Sequence, residues 1–252
     1  MKKLLTIIAV VVSIIVSDET QAWNFITSTE HDPVLIGQES EMTIGKNTDR
    51  QMRQTYRVST DRKRNQRIDA IGQRLAVHSK RKNLKYTFTV FDDELVNAFA
   101  APGGYVYITT GILKRLKSED EIAGVLGHEI GHVVHRHSLK ALQRRMIAQF
   151  GLQVVASQLG DTGALSGALM LKASHLSANL LLLKNSRVNE LQADSEGVSV
   201  MHLAGYKPQG MIDIQTMLLT LSKGKNPPAI ISTHPPSQER IDAIRKVIGK
   251  MK

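Results

Sequence analysis

The sequence predicts an α+β fold that is mostly helical, with a small β-sheet placed beside a helix able to bind a metal. Three observations carry this. Two short β-rich runs, Phe88–Phe91 and Tyr105–Ile108, flank a Pro102-Gly103-Gly104 turn signal. A capped helical pattern begins at Ser118 and contains His128-Glu129-Ile130-Gly131-His132. Further along, Glu190 and Asp194 stand four residues apart, so a second helix presents both carboxylates on one face.

In chain order, the first element is an address. Lys2 and Lys3 precede an apolar run from Leu4 to Val16, too short to span a bilayer comfortably as one helix. A polar stretch ending Thr20-Gln21-Ala22 follows, which reads as a secretory signal peptide over residues 1–22, cleaved before Trp23. Thr20 meets the small-residue rule only loosely, so an uncleaved N-terminal anchor is the alternative. The expected location is periplasmic, with residues 23–252 forming a single domain. The chain has no cysteine, which excludes disulfides and a lipid-modified cysteine tether. A mature chain of about 230 residues is long enough to bury one core without such staples.

Next comes a basic region. The chain carries a formal net charge of +10, and cations concentrate from Arg50 to Lys82. Ile68, Ile71 and Leu75 recur there at helical spacing, which predicts an amphipathic helix with a solvated basic face. Such a face can also attract an anionic membrane surface or acidic stretches of substrate. Nucleic acid is excluded as a partner, since the chain is read as exported and has no nucleic-acid motif. The two β-rich runs then predict a small sheet, at its plainest a hairpin supporting the core.

The metal helix follows. Ser118 caps its first turn, Glu121 reaches back, and Glu119, Asp120 and Glu121 complement the helix dipole. Ile122, Val125, Leu126, Ile130 and Val133 form its buried face. His128 and His132 leave the same face one turn apart, where two imidazoles can share one Zn²⁺. Glu129 stands beside them as a general base. The pattern H-E-x-x-H arises by chance in about one chain of this length in a hundred, so its surroundings must decide. His135 lies about 10 Å further along the axis and cannot share that metal unless the helix breaks. His135 and Ser138 occupy positions where a metzincin needs Gly and a third His, which excludes that arrangement. His135 and His137 are therefore read as solvated or as supporting groups around the ligands. Residues 139–158 look helical, residues 160–167 are small-rich, and Leu180–Leu183 suit core packing, a lid or a hydrophobic patch. His31, His78, His175 and His202 have no motif context. Glu190 is the third ligand candidate, Asp194 can accept the free N–H of a ligand histidine, and small Ala193 lets the two helices approach.

Four features now stand in order. They are Asn97–Gly104 running into Tyr105–Gly111, His128–His132, Glu190 with Ala193-Asp194, and Thr233-His234-Pro235-Pro236 with Arg240 behind it. Together they resemble the gluzincin peptidases of the HtpX, BepA and CAAX prenyl protease 1 type, over roughly residues 37–248. The resemblance implies a zincin-type metalloprotease domain holding one Zn²⁺ per chain, and an edge strand over Asn97, Ala98, Phe99 and Ala100 that binds substrate in extended form. It also places the segment of His234 near the active site, either stabilising the oxyanion or taking the fourth zinc position and holding the enzyme latent. The plain alternative for His234 is a surface turn before the last helix. Arg240 is a further candidate for the oxyanion. The HtpX and prenyl-protease branches are integral membrane enzymes, so an exported chain without spanning helices looks closer to BepA-like members. No tetratricopeptide-like tail is expected here. The implied function is an exported zinc endopeptidase that hydrolyses unfolded or misfolded envelope proteins in quality control, with Glu129 as general base. The alternative is a zinc-holding, chaperone-like client binder with little turnover.

Overall fold

A computed structural model describes residues 34–150 and 185–251. The signal peptide, the alternative anchor, the small-rich segment and Leu180–Leu183 lie outside the described residues, as do His31 and His175. No helix among the described residues is long and apolar enough to cross a membrane.

Two helices open the described fold, α1 (Gln38–Thr55) and α2 (Arg62–Ala76). The Asp61 side chain accepts the Arg64 N–H and so caps α2, while Ile68, Ile71 and Leu75 are buried along one face, as their spacing predicts. Strand β1 (Thr87–Phe91), strand β2 (Ala98–Ala101) and strand β3 (Tyr105–Thr109) form a three-stranded sheet in the order β1-β3-β2. The plain hairpin reading of the two β-rich runs is corrected here. They pair in parallel, Phe88 opposite Val106. The hairpin joins β2 to β3 across Pro102–Gly104, with Phe99 opposite Tyr107. Gly103 and Gly104 take φ of 78° and 92°, and a Cβ on Gly104 would stand 2.8 Å from the Lys85 carbonyl oxygen, so the turn needs glycine. β2 lies at one edge of the sheet.

A short helix α3 (Thr110–Leu113) leads to α4 (Glu119–Val134), which carries the histidine motif. Ser118 caps α4 by accepting the Glu121 N–H, and the Glu121 carboxylate accepts the Lys117 N–H. Leu126 and Ile130 are completely buried in the main core, each contributing roughly 1.5–3 kcal/mol of hydrophobic stabilisation. Helix α5 (His137–Phe150) follows a sharp break, and then α6 (Arg187–Leu203), α7 (Gln209–Ser222), α8 (Ala229–Thr233) and α9 (Gln238–Gly249) complete the described chain.

The position of α6 against α4 decides the site. A Cβ on Gly131 would stand 2.5 Å from the Ala193 carbonyl oxygen, and one on Gly127 would stand 3.1 Å from that of Gly197. Two glycines one turn apart on α4 therefore meet Ala193 and Gly197, also one turn apart on α6, and the backbones nearly touch.

Candidate active site

α4 delivers His128 and His132 from successive turns into a buried space, and α6 delivers Glu190 from its first turn, where Ser186 caps by accepting the Asn189 N–H. The Nε2 atoms of His128 and His132 stand 3.0 Å apart. Glu190 Oε1 is 3.3 Å from His132 Nε2, and its Oε2 is 3.4 Å from His128 Nε2. His234, directly after α8, places Nδ1 at 3.1 Å from His128 Nε2 and 3.2 Å from Glu190 Oε1. One ligand atom from each of the four residues lies within 4.8 Å of the others.

These atoms fit a metal. Two ligand atoms at about 2.05 Å from a tetrahedral ion stand roughly 3.3 Å apart, close to the separations here. Three imidazole nitrogens and a carboxylate converging at these separations make a nitrogen and oxygen donor set of the kind zinc takes. Glu190 Oε2 is paired with the Arg240 guanidinium at 2.7 Å, and its Oε1 is left to face the histidine nitrogens.

Around the ligands is a layer that orients them. Asp194 Oδ1 accepts from His128 Nδ1 at 2.8 Å, the role its spacing suggested. Arg240 departs from expectation. It is not aimed into open space as an oxyanion donor: it is 1% exposed, and its Nε and Nη2 donate to the two Asp194 oxygens at 2.7 and 2.8 Å. Its Nη1 donates to the Pro235 carbonyl and lies 2.7 Å from Glu190 Oε2. Every face of the guanidinium is engaged, so Arg240 braces both carboxylates from behind.

His137, read from the sequence as either solvated or a supporting group, lies against a ligand candidate. α4 ends at Val134, Arg136 takes a left-handed φ of 55°, and the chain restarts as α5 at His137. That break swings His137 back, putting its Nδ1 at 2.8 Å from His132 Nδ1, while its Nε2 faces Gln192 Oε1 at 3.0 Å. With Nε2 of His132 turned to the metal position, its Nδ1–H donates to His137, which donates in turn to Gln192. The turn is held by Glu41, a buried carboxylate gripped by both Arg81 Nη atoms at 2.8 and 2.9 Å and approached by Arg136 at 3.5 Å. No local pattern announces Glu41; the non-glycine left-handed turn is invisible in the sequence. His135 is half-buried and joins no ligand atom.

The electrostatics follow from burial. Desolvation raises the Glu129 carboxyl above its ordinary 4.5, only partly offset by the nearby His234 and His128. Burial also works against charge on His128, but Glu190 and Asp194 outweigh it and hold the imidazole up at about 10. Burial drives His132 well below its ordinary range. It likewise drives His137 down to about 3, in keeping with neutral rings passing hydrogen bonds along. Glu190 overcomes its own desolvation through His234, Arg240 and His128 and stays ionised.

The segment expected to bind substrate lies at a sheet edge. Ala98, Phe99 and Ala100 lie on edge strand β2, and Asn97 immediately precedes it, donating its backbone N–H to Thr109 Oγ1. Ser138, at the start of α5, donates to the Ala100 carbonyl at 2.9 Å, so that carbonyl points outward from the sheet.

Comparison with known proteins agrees with this geometry. The beta-barrel assembly-enhancing protease of Escherichia coli K12 is 28% identical over 227 residues, 86% of this chain and 45% of that protein. The mitochondrial metalloendopeptidase OMA1 of Schizosaccharomyces pombe is 32% identical over 181 residues, 71% of this chain and 51% of its own length. The metalloprotease YcaL of Escherichia coli K12 is 29% identical over 186 residues, covering 72% of this chain and 71% of that protein. The chain thus spans about half the length of several relatives it matches. The model of peptidase family M48 matches residues 62–248, a span containing every ligand candidate and its brace. With the buried histidine–glutamate cluster inside that match, the chain belongs to peptidase family M48, the metallopeptidases.

Proposed function

We propose that this protein is an exported zinc endopeptidase that cuts unfolded or misfolded envelope proteins. The observation that carries it is the buried convergence of His128, His132 and Glu190 with Glu129 one residue along the same helix. A bound zinc would supply Lewis acidity, acidifying a water and polarising a carbonyl. The protein's own residues do the rest. His128, His132 and Glu190 hold the ion, and Asp194, Arg240 and His137 keep them aimed. Glu129, nearly dry and with Oε2 free of any hydrogen bond, takes the proton of the attacking water and passes it to the leaving nitrogen. The two-histidine, one-glutamate set favours zinc. The signal-like N-terminus and the similarity to the beta-barrel assembly-enhancing protease of Escherichia coli support the envelope setting. The basic surface contributes, at most, peripheral attraction to anionic membrane.

His234 favours a second, latent state of the same enzyme. Its Nδ1 lies among the ligand atoms of His128, His132 and Glu190, and its Nε2 is 3.7 Å from Glu129 Oε1. A site with four protein ligands has no open position. The test is digestion of casein by zinc-loaded protein beside Glu129→Gln and His234→Ala. Cleavage by the parent or by His234→Ala, abolished by adding Glu129→Gln, is the expected result. Zinc binding without cleavage in both would leave a client binder instead.

A further inference from the structure

His234 is held by the main chain on both sides of it. Its own N–H closes the last turn of α8 onto the Ile230 carbonyl at 2.7 Å. The carbonyl just before it, that of Thr233, accepts the Asn185 backbone N–H at 2.9 Å and Asn185 Nδ2 at 3.3 Å. The carbonyl just after it, that of Pro235, accepts Arg240 Nη1 at 3.0 Å. Both donors belong to the surroundings of the third ligand candidate. Asn185 directly precedes Ser186, which caps the helix of Glu190, and Arg240 braces Glu190 and Asp194. The start of α8 is fixed independently, since Ile230 is buried in the main core and its N–H donates to the Val96 carbonyl.

The two fastenings differ in what else they do. Arg240 also grips both carboxylates, so its loss disturbs the ligands themselves. Among the described residues, the Asn185 side chain has one hydrogen-bond partner, the Thr233 carbonyl. The capping of α6 does not need it, because Ser186 accepts the Asn189 N–H. Nor does the Thr233 oxygen, which the Asn185 backbone N–H already satisfies. We infer that Asn185 is a positioning residue that fastens His234 among the ligand atoms, so that loosening this clasp frees the fourth position while the other three ligands stay in place. The inference rests on the reading of His128, His132 and Glu190 as a metal site with His234 as its fourth group. Asn185→Asp is the sharpest variant, because it keeps the shape and turns an acceptor toward the Thr233 oxygen. Removing one ordinary hydrogen bond shifts the ratio of held to released His234 by about tenfold.

The first measurement needs no metal. Carbethoxylation of the metal-free protein by diethyl pyrocarbonate, followed by peptide mass spectrometry, reports how readily each buried imidazole opens to solvent. His234 is 5% exposed and His137 2%, so both start protected. Asn185→Asp should speed modification of His234 about tenfold and leave His137 unchanged, with Asn185→Ala between parent and Asp. No acceleration at His234, or equal acceleration at both histidines, would overturn the clasp. The second measurement puts cobalt(II) in place of zinc and reads azide binding by visible absorption, a gauge of an open coordination position. Asn185→Asp should tighten azide about tenfold in the parent and not at all when His234→Ala is already present. Tightening that persists beside His234→Ala would show that Asn185 acts on the ligands directly, against the inference. The peptidase reading is judged separately, on casein. Casein left uncut by every variant, with His234 freed by Asn185→Asp, would keep the clasp and remove the peptidase. Cleavage by His234→Ala, with His234 unmoved by Asn185→Asp, would do the reverse.

Discussion

Glu129 works because it is dry. Burial lifts its carboxyl above 4.5, and a general base must be ionised, so activity is lost as pH falls through the raised value. The acid limb of a kcat/KM profile should therefore sit above the ordinary carboxylate range; a limb at or below it would contradict the assignment. His128 works the other way. Glu190 and Asp194 hold it protonated to about 10 without metal, yet a ligand must be neutral, so metal uptake must expel that proton. Calorimetry in buffers of different ionisation enthalpy should register proton release, and metal affinity should rise with pH through the neutral range. Arg240 is the residue whose loss should be felt most away from the ligands. Arg240→Met strips the partner from two buried carboxylates, a loss of about 3–5 kcal/mol in stability, with metal affinity falling about 10–100-fold. Thermal melts and competitive chelator titration would measure both. At this scale the sequence pointed to His128, His132 and Glu190, which the structure brings together, since spacing along helices carries that grouping. It left Arg240 misassigned because a guanidinium's direction depends on packing between helices far apart in sequence.

Helices α4 and α6 meet through Gly131 and Ala193, and that contact sets the distance between the histidines and Glu190. Gly131→Ala would place a Cβ 2.5 Å from a backbone oxygen that no side-chain rotation can relieve. The helices must then part by several tenths of an ångström, and metal affinity should drop more than tenfold even though no ligand has changed. Zinc retention through size-exclusion chromatography is a direct check. The small residues at this crossing were readable as Ala193 and the motif glycines; their register was not, since many registers satisfy small against small. The sheet teaches a similar lesson. Its β-rich runs were visible, but the parallel pairing of β1 with β3 requires knowing that β2 folds back between them in sequence and lies outside them in space. His137 is a loss of the same kind, because a single left-handed residue, Arg136, redirects the chain and nothing in its type predicts that φ.

Over the whole molecule, the described helices pack on one hydrophobic core, and α4, α6 and the residue after α8 carry a cluster of ionisable groups that a metal would neutralise. Chelating the metal should lower the melting temperature. At a free metal level near one hundred times Kd the bound state gains about 2.7 kcal/mol, roughly 5–10 °C for a domain of this size. Differential scanning fluorimetry with and without chelator would test this. The fold class and the order of the site segments were legible throughout, because capping, periodicity and motif spacing are local; the connections between distant segments were not. One of those connections has a consequence in time. The two histidines are synthesised early, Glu190 and Asp194 about sixty residues later, and Arg240 last of all. A ribosome that has just released the α4 sequence has made a helix with a dangling pair of imidazoles and no cutting edge. Only when α9 docks and its arginine closes on the two carboxylates are both braced, so a nascent protease of this design is expected to stay harmless to itself and its neighbours until α9 has been made.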